Sequence, residues 1–231
     1  MKHLTASSLS ILIAASAFAQ SAPAKSAWSQ THNLAVATDY IFRGATQIGG
    51  EGIAFSGGTD LAHSSGFTFG VWAANQSWTP TVGSGLEVDV YSGYSVALGD
   101  VTASLGVITY HYQGYNAANT TEANIGFAAY GLSLKYSNSL TDYFDFVNSV
   151  GVGYLDVSYS VVVPGIQDLS FGLHYGATFG EGDQESYNDY KASLSYPIAG
   201  YTAALTYTDV DGFDSAPSYT EELVFSLSKT F

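Results

Sequence analysis

The side chains best suited to catalysis or metal binding in this sequence are its histidines, and they are few. Four of them follow the first nineteen residues: His32, His63, His111 and His174. Nucleophilic catalysis needs a serine or cysteine within reach of a base, usually framed by a recognisable motif. No such motif surrounds these histidines, the chain has no cysteine, and the histidines are scattered over different predicted strands. We therefore predict no enzyme, no metal site and no other cofactor.

The charged residues are the next chemically informative set, because they are sparse and mostly acidic. Six lysines and arginines face twenty aspartates and glutamates, which gives a net charge of −14. Such a chain cannot neutralise a phosphate backbone, so a nucleic-acid partner is excluded. Hydrophobic residues make up 46% and charged residues only 11%, and no apolar run reaches 18 residues. This combination excludes intrinsic disorder and a helical membrane bundle, and it is typical of a transmembrane β-barrel.

Hydrophobic residues recur with a period of two from residue 30 onward. Leu86, Val88 and Val90 alternate with Glu87 and Asp89, which is the pattern of a strand with one apolar and one polar face. Similar runs predict twelve strands, at 30–43, 52–62, 66–78, 86–98, 101–113, 120–130, 131–141, 147–163, 169–180, 186–198, 200–208 and 219–231. The alternation slips within 147–163, which predicts a bulge or a break there.

The links between these strands tend to alternate in length. Gly99-Asp100 and Tyr130-Gly131 are tight, whereas 44–51 and 114–119 are longer. Short periplasmic turns and longer external loops are typical of membrane barrels, whereas a soluble β-sandwich would show polar outward positions. We therefore predict an all-β fold over residues 30–231, a closed antiparallel transmembrane β-barrel of about twelve strands. Its first strand should pair with its last.

The N-terminus carries the features of a secretory signal. Lys2 precedes an apolar core from Leu4 to Ala15, and Ala17-Phe18-Ala19 forms a small-x-small cleavage site. We predict a cleaved signal peptide at 1–19 and a periplasmic lead-in at 20–29. The protein should therefore pass through the periplasm.

The last strand ends in an aromatic residue. Its apolar face contains Leu223, Phe225, Leu227 and Phe231, the final residue. This arrangement looks like the signal that the barrel-assembly machinery recognises in outer-membrane proteins. We predict the outer membrane of a Gram-negative bacterium, with lipid and lipopolysaccharide as partners. Acidic residues in the longer links could bind lipopolysaccharide phosphates through divalent cations, although solubility of the loops explains them as well.

Several segments resemble the TorF family of outer-membrane porins. They are Asn33 to Gly44 with Gln47, Leu61 to Phe67 leading to Gly70-Val71-Trp72, Leu86 to Asp89, and the Ser-Lys-Thr-Phe terminus. The resemblance implies a bacterial outer-membrane barrel with a pore. It implies no catalytic residues and no particular solute.

Strand parity places nine charged side chains inside the predicted barrel. They are Asp39, Arg43, Asp60, Glu87, Asp89, Lys135, Asp189, Lys191 and Glu222. Six acids against three bases favour a water-filled passage for small cationic or neutral solutes. A plugged structural or adhesive barrel is the alternative, because twelve strands lie between filled and open barrels. An outer-membrane lipase, acyltransferase or protease is less favoured.

Arg43 is the only arginine, and the predicted first strand ends with it. A guanidinium inside a barrel needs a carboxylate partner. Parity and the predicted closure put Glu222 and Asp39 nearest, so we expect Arg43 to pair with one or both of them. A solvated arginine at the mouth of the barrel is the alternative.

Overall fold

Most of the described residues lie in strands in the structure, a computed structural model that describes residues 27–49, 52–79, 83–212 and 221–231. The strands in chain order are β1 (Trp28–Ala37), β2 (Ile41–Phe42), β3 (Ala45–Thr46), β4 (Ala54–His63), β5 (Phe67–Thr79), β6 (Gly83–Leu98), β7 (Val101–Tyr112), β8 (Thr120–Ala129), β9 (Leu132–Ser139), β10 (Gly153–Val162), β11 (Ser170–Phe179), β12 (Tyr187–Ile198), β13 (Tyr201–Asp211) and β14 (Glu222–Thr230). A 3₁₀ turn spans Asn116–Ala118. No helix among the described residues is long and apolar enough to cross a bilayer.

The long strands form one closed barrel. Each pairs with its two neighbours in antiparallel fashion, and the order around the barrel is β1, β14, β13, β12, β11, β10, β9, β8, β7, β6, β5, β4. The seam is closed by β1 and β14, with Asn33 opposite Thr230 and Ala37 opposite Ser226. The described residues therefore confirm the predicted twelve-strand antiparallel barrel and its closure. The predicted signal peptide and most of the lead-in lie outside the described residues.

The two faces of the wall have opposite chemistry, as the period of two predicts. On β6, Glu87 and Asp89 point inward and are 1% and 0% exposed. On β14, Leu223 and Phe225 point outward and are 64% and 50% exposed. An apolar exterior around a polar interior is the reverse of a soluble protein and suits a lipid environment. Charges are placed inside because a lysine or arginine on the lipid face would cost roughly 2–4 kcal/mol at the bilayer midplane.

The barrel has a short-turn end and a long-loop end. Both β1 and β14 have their outer termini at the short-turn end, which also carries the links 64–66, 99–100 and 130–131. Tyr130 and Gly131 have φ of 51° and 82°, the positive values that a two-residue hairpin turn requires. The long-loop end carries 38–53 and 140–152 among its connections. The alternation of links thus agrees with the sequence.

The predicted first strand, 30–43, is too long, because β1 leaves the wall after Ala37. Residues 38–49 fold into the barrel, and we call them the inserted segment. Within it, β2 and β3 form a small hairpin that pairs with no strand of the wall. Asp39 and Arg43 therefore lie in the inserted segment and not on a wall strand.

The predicted eighth strand, 147–163, is also too long, because β10 begins only at Gly153. The preceding loop has positive φ at Phe144, Asp145, Asn148 and Gly151. A strand cannot continue through backbone in the left-handed region. The break therefore lies before Gly153, whereas β10 continues from Tyr154 through Val157, where the alternation slips, without a bulge or register shift.

Candidate functional site: the barrel lumen

The inserted segment turns back on itself inside the barrel. Arg43 and Gly44 occupy the two central positions of the β2–β3 hairpin, with φ of 47° and 81°. A Cβ atom on Gly44 would lie 2.4 Å from Val210 Cγ2 and 2.9 Å from Asp189 Cβ. The tip of the hairpin therefore packs so closely against β12 and β13 that only glycine fits. This placement directs the side chain of Arg43 across the lumen.

Arg43 makes a bidentate ion pair with Glu122 on β8. Its Nη1 and Nη2 donate to the two carboxylate oxygens at 2.7 and 2.8 Å. Nη1 also donates to the Tyr143 hydroxyl at 3.0 Å, and the Tyr154 ring centroid lies 4.2 Å from the guanidinium carbon. Tyr110 donates to the second Glu122 oxygen at 3.2 Å. With the two side chains 6% and 1% exposed, this is a buried charge pair whose hydrogen bonds offset much of its desolvation cost.

The ion pair joins opposite sides of the barrel. Counting around the wall, β8 lies five strands from β1 in one direction and seven in the other. The predicted pairing of Arg43 with Glu222 or Asp39 is therefore wrong. Asp39 instead accepts hydrogen bonds from the Tyr40 backbone N–H at 2.5 Å and the Thr46 hydroxyl at 2.6 Å. Glu222 stays half-buried on β14, opposite Thr208 in register.

The inserted segment is held to the wall by scattered contacts and not by a strand ladder. Tyr187 donates to the Arg43 carbonyl at 3.0 Å, and the Ser77 N–H donates to the Gln47 carbonyl at 2.8 Å. Tyr40 donates to Glu87 at 3.3 Å. These separate bonds replace the continuous pairing that holds each wall strand, and burial of the Tyr40 and Ile48 side chains adds to them.

An aromatic layer covers the inserted segment from the long-loop end. The ring centroid of Phe144, in the loop before β10, lies 5.4 Å from that of Phe42 and 5.0 Å from that of Tyr110. Tyr115, between β7 and β8, donates a hydrogen bond to Asp145. This bond raises the pKa of the Tyr115 phenol, so the phenol remains a donor that ties the two loops together. Among the described residues, two layers therefore lie one above the other at the long-loop end, the inserted segment and these aromatic side chains.

One wall of the lumen is acidic. Asp60 on β4 accepts the Tyr91 hydroxyl at 2.5 Å. Both carboxylate oxygens of Asp89, and one of Glu87, have no hydrogen-bond partner among the described residues. Carboxylates that are 0% and 1% exposed and only partly hydrogen-bonded are costly in their charged form. This wall would therefore be stabilised by positive charge or protons.

The opposite wall carries charges of both signs. His174 on β11 has Nε2 3.0 Å from an oxygen of Asp189 and Nδ1 3.5 Å from an oxygen of Asp156. Lys135 is directly opposite Asp156 in register, and Lys191 is opposite His174. The Lys191 ammonium also reaches the Ile41 carbonyl of the inserted segment at 3.5 Å. Positive and negative groups thus largely compensate each other on β9–β12.

Sequence reasoning missed two luminal acids, Glu122 and Asp156. Glu122 alternates with outward Ile125 and Phe127 and shares the inner parity of Thr120, so parity alone could have found it. Asp156 lies where the alternation slips, and the break that ends at Gly153 obscured its parity. All nine residues predicted to lie inside are on the luminal side of the wall or in the inserted segment.

The accessibility of the lumen changes along its length. On β9, Ser133 and Lys135 are half-buried, whereas Ser137 and Ser139 are buried. Hydroxyl groups and glycine line the short-turn half, namely Thr102, Ser104, Ser133, Ser158, Gly172, Ser193, Ser195, Thr202, Thr206, Ser226 and Ser228. A cavity of about 30 Å³ lies between Asn124, Lys135 and Asp156, enough for a water molecule. Solvent therefore reaches the charged residues from the short-turn end only as far as the inserted segment.

The three other described histidines lie on the outer surface or at the short-turn end. His32 contacts the Thr59 hydroxyl, His63 contacts Ser65 in a turn, and His111 contacts Thr109 on the outer face. No group of three or more His, Asp or Glu side chains within the described ranges could hold a metal ion. The predicted assembly residues Leu223, Phe225, Leu227 and Phe231 all face outward on or just after β14.

A closed barrel with an apolar exterior and a charged lumen defines the class, a transmembrane β-barrel whose lumen is closed by its own chain. The chain belongs to the Gcw_chp family, described as bacterial proteins of unknown function, whose model matches residues 21–231. Among solved structures it is similar to the KdgM porin, with a TM-score of 0.57 and 11% identity over 87% of this chain and 99% of that one. The NanC porin gives 0.51 and 10%, over 87% and 98%. At such identities the similarity shows the fold, and the TorF resemblance is not confirmed. A search of curated proteins finds no match.

Proposed function

We propose that this protein is a small porin in the outer membrane of a Gram-negative bacterium, and that it passes small cationic or neutral solutes. The supporting observation is the lumen itself, which is polar, accessible from the short-turn end, and lined by an excess of acids. The inserted segment closes the lumen in the structure, so passage of a solute requires this segment to move.

The luminal charges favour cations. The acids among the described luminal residues are Asp39, Asp60, Glu87, Asp89, Glu122, Asp156, Asp189 and Glu222, and the bases are Arg43, Lys135 and Lys191. Eight acids against these three bases and the imidazolium of His174 raise the local cation concentration in a passage with low-dielectric walls. Acidic oligosaccharides are poor candidate solutes for the same reason.

The proposed location rests on the outer surface and the termini. The exposed apolar exterior suits lipid, and residues 1–19 and the C-terminal aromatic suit export through the periplasm and recognition by the barrel-assembly machinery. The long loops would then face outward, toward lipopolysaccharide. We also propose that the protein is related to the TorF porins that its sequence resembles.

A plugged structural or adhesive barrel is the second candidate, and the buried Arg43–Glu122 pair is the observation that favours it. An enzyme is less favoured, although the Ser158 hydroxyl lies 3.0 Å from His174 Nδ1. This hydroxyl donates to Asp156 at 2.7 Å. Because both ring nitrogens of His174 face carboxylates, the geometry favours an imidazolium, which cannot accept a proton from serine.

Planar-bilayer recording of the refolded chain tests the proposal. We expect discrete conductance steps and, in a salt gradient, a reversal potential of the sign that cation selectivity gives. Anion selectivity would contradict the acidic passage. If neither the parent nor a variant that lacks the Arg43 side chain shows conductance steps, the porin proposal is wrong, and the plugged structural or adhesive barrel remains.

A further inference from the structure

The place where Arg43 binds has the composition of a ligand site. We propose that Glu122, Tyr110, Tyr143 and Tyr154 form a binding site for the guanidinium group of small solutes, and that Arg43 occupies this site as a tethered substitute. The inference extends the proposed porin function by naming one class of solute, small guanidinium compounds.

The receptor groups are all outside the inserted segment. Glu122 offers two carboxylate oxygens, which accept from Nη1 and Nη2 at 2.7 and 2.8 Å, and the Tyr143 hydroxyl accepts at 3.0 Å. The Tyr154 ring lies 4.2 Å from the guanidinium carbon. A planar fork held by a carboxylate and stacked on an aromatic face is the preferred environment of a guanidinium. If the inserted segment withdraws, these groups remain on the wall and its loop.

The site also has more negative charge than Arg43 can satisfy. Asp89 is 0% exposed, and no N–H or O–H among the described residues donates to its oxygens; its carboxylate interacts instead with that of Glu87. It lies directly opposite Tyr110 in register, and Tyr110 donates to Glu122. Two adjacent buried carboxylates repel each other unless a proton or a cation lies between them, so this pair would be stabilised by a cationic ligand. A solute with a second positive group would meet these carboxylates next.

Arg43 has the features of a removable occupant. The β2–β3 hairpin that carries it pairs with no wall strand. Its φ of 47° lies in the left-handed region, which a long side chain adopts only when the surroundings hold it there. The contacts of the guanidinium hold the backbone of Arg43 in this conformation. Withdrawal of the inserted segment would therefore open the lumen and empty the binding site at the same time.

The test is chemical rescue of an Arg43→Gly protein. Glycine accepts the positive φ and removes the guanidinium without strain at the turn. We expect millimolar methylguanidinium chloride to raise the melting temperature of this variant in detergent and to block its current in bilayers. Half-saturation should require about tenfold less methylguanidinium than methylammonium, because only the former spans both carboxylate oxygens. In the parent protein Arg43 competes for the site, so both responses should require a higher methylguanidinium concentration than in the variant.

The matched control is the double variant Arg43→Gly, Glu122→Gln, which should lose the response. Equal responses of the single and double variants, or a response that sodium chloride reproduces, would overturn the site. If Arg43→Gly does not fold, Arg43→Asn replaces it, because asparagine tolerates positive φ. If methylguanidinium raises the melting temperature but no conductance is observed, the porin proposal is refuted and the binding-site proposal stands. Conductance without rescue or block would refute the site and keep the porin.

Discussion

Replacing Glu122 by glutamine isolates the energy of the ion pair that closes the lumen. Glutamine keeps the volume and one acceptor oxygen, so little of the effect comes from packing. The guanidinium of Arg43 stays 6% exposed and loses its counter-charge. Removing one partner of a buried pair typically costs about 3–5 kcal/mol, because an uncompensated charge remains buried. We expect the free energy of unfolding to fall by that amount.

Two further variants complete a double-mutant cycle. Arg43→Gln leaves Glu122, 1% exposed, without its partner and should cost a similar amount. The double variant buries no unpaired charge and should regain most of the loss. Urea titration, with folded and unfolded barrels separated by the heat-modifiable gel shift, measures all three.

The matched control is Glu185→Gln, the same substitution in the exposed loop between β11 and β12. It should change stability by no more than about 0.5 kcal/mol. If the free energies of unfolding of both single variants also stay within about 0.5 kcal/mol of the parent, then Arg43 is solvated and does not close the lumen. Additive losses in the double variant would likewise contradict a coupled pair.

Three other predictions follow from the packing and charge of the wall. In Gly176→Ala the new methyl would lie 2.0 Å from a carboxylate oxygen on β12, so urea titration should show a free energy of unfolding lower by about 1–3 kcal/mol. The new methyl of Gly172→Ala would lie 2.6 Å from a serine hydroxyl, and this variant should lose less stability. The reverse order would contradict this packing. Asp60→Asn removes an acid from the accessible part of the lumen and should move the reversal potential toward zero; an increase in cation selectivity would count against the acidic passage. Phe231→Ala should reduce the fraction of heat-modifiable barrel formed in cells, whereas Lys229→Gln should not, and equal yields would argue against the C-terminal signal.

The wall of this barrel is predictable from the sequence because its determinants are local. Side chains alternate between lipid and lumen. The run Leu86 to Asp89 therefore predicts both that the segment is a strand and which of its side chains face each side. Tight links such as Tyr130-Gly131 report the hairpins. Neither inference needs knowledge of what lies across the barrel.

The inserted segment is not predictable in the same way, because Ile41 and Phe42 continue the alternation of β1. Parity therefore extends the strand to Arg43. The dipeptide Arg43-Gly44 is a weak hairpin signal, since asparagine or aspartate is the usual residue before glycine in such turns. What stabilises arginine there is Glu122, 79 positions along the chain, and no local pattern reports that contact.

The difference between the two walls determines where a cation would travel. Lys135, Lys191 and His174 are compensated by Asp156 and Asp189, so β9–β12 present little net charge to a solute. The acids of β4 and β6 have no such compensation, since Asp60 has only a phenol partner and Asp89 interacts only with another carboxylate, that of Glu87. A cation that enters at the short-turn end would therefore follow β4–β6. If the proposed function holds, that route leads by way of Asp89 to Tyr110 and Glu122, where Arg43 is bound, so Arg43 occupies the end of the path that a cation would take.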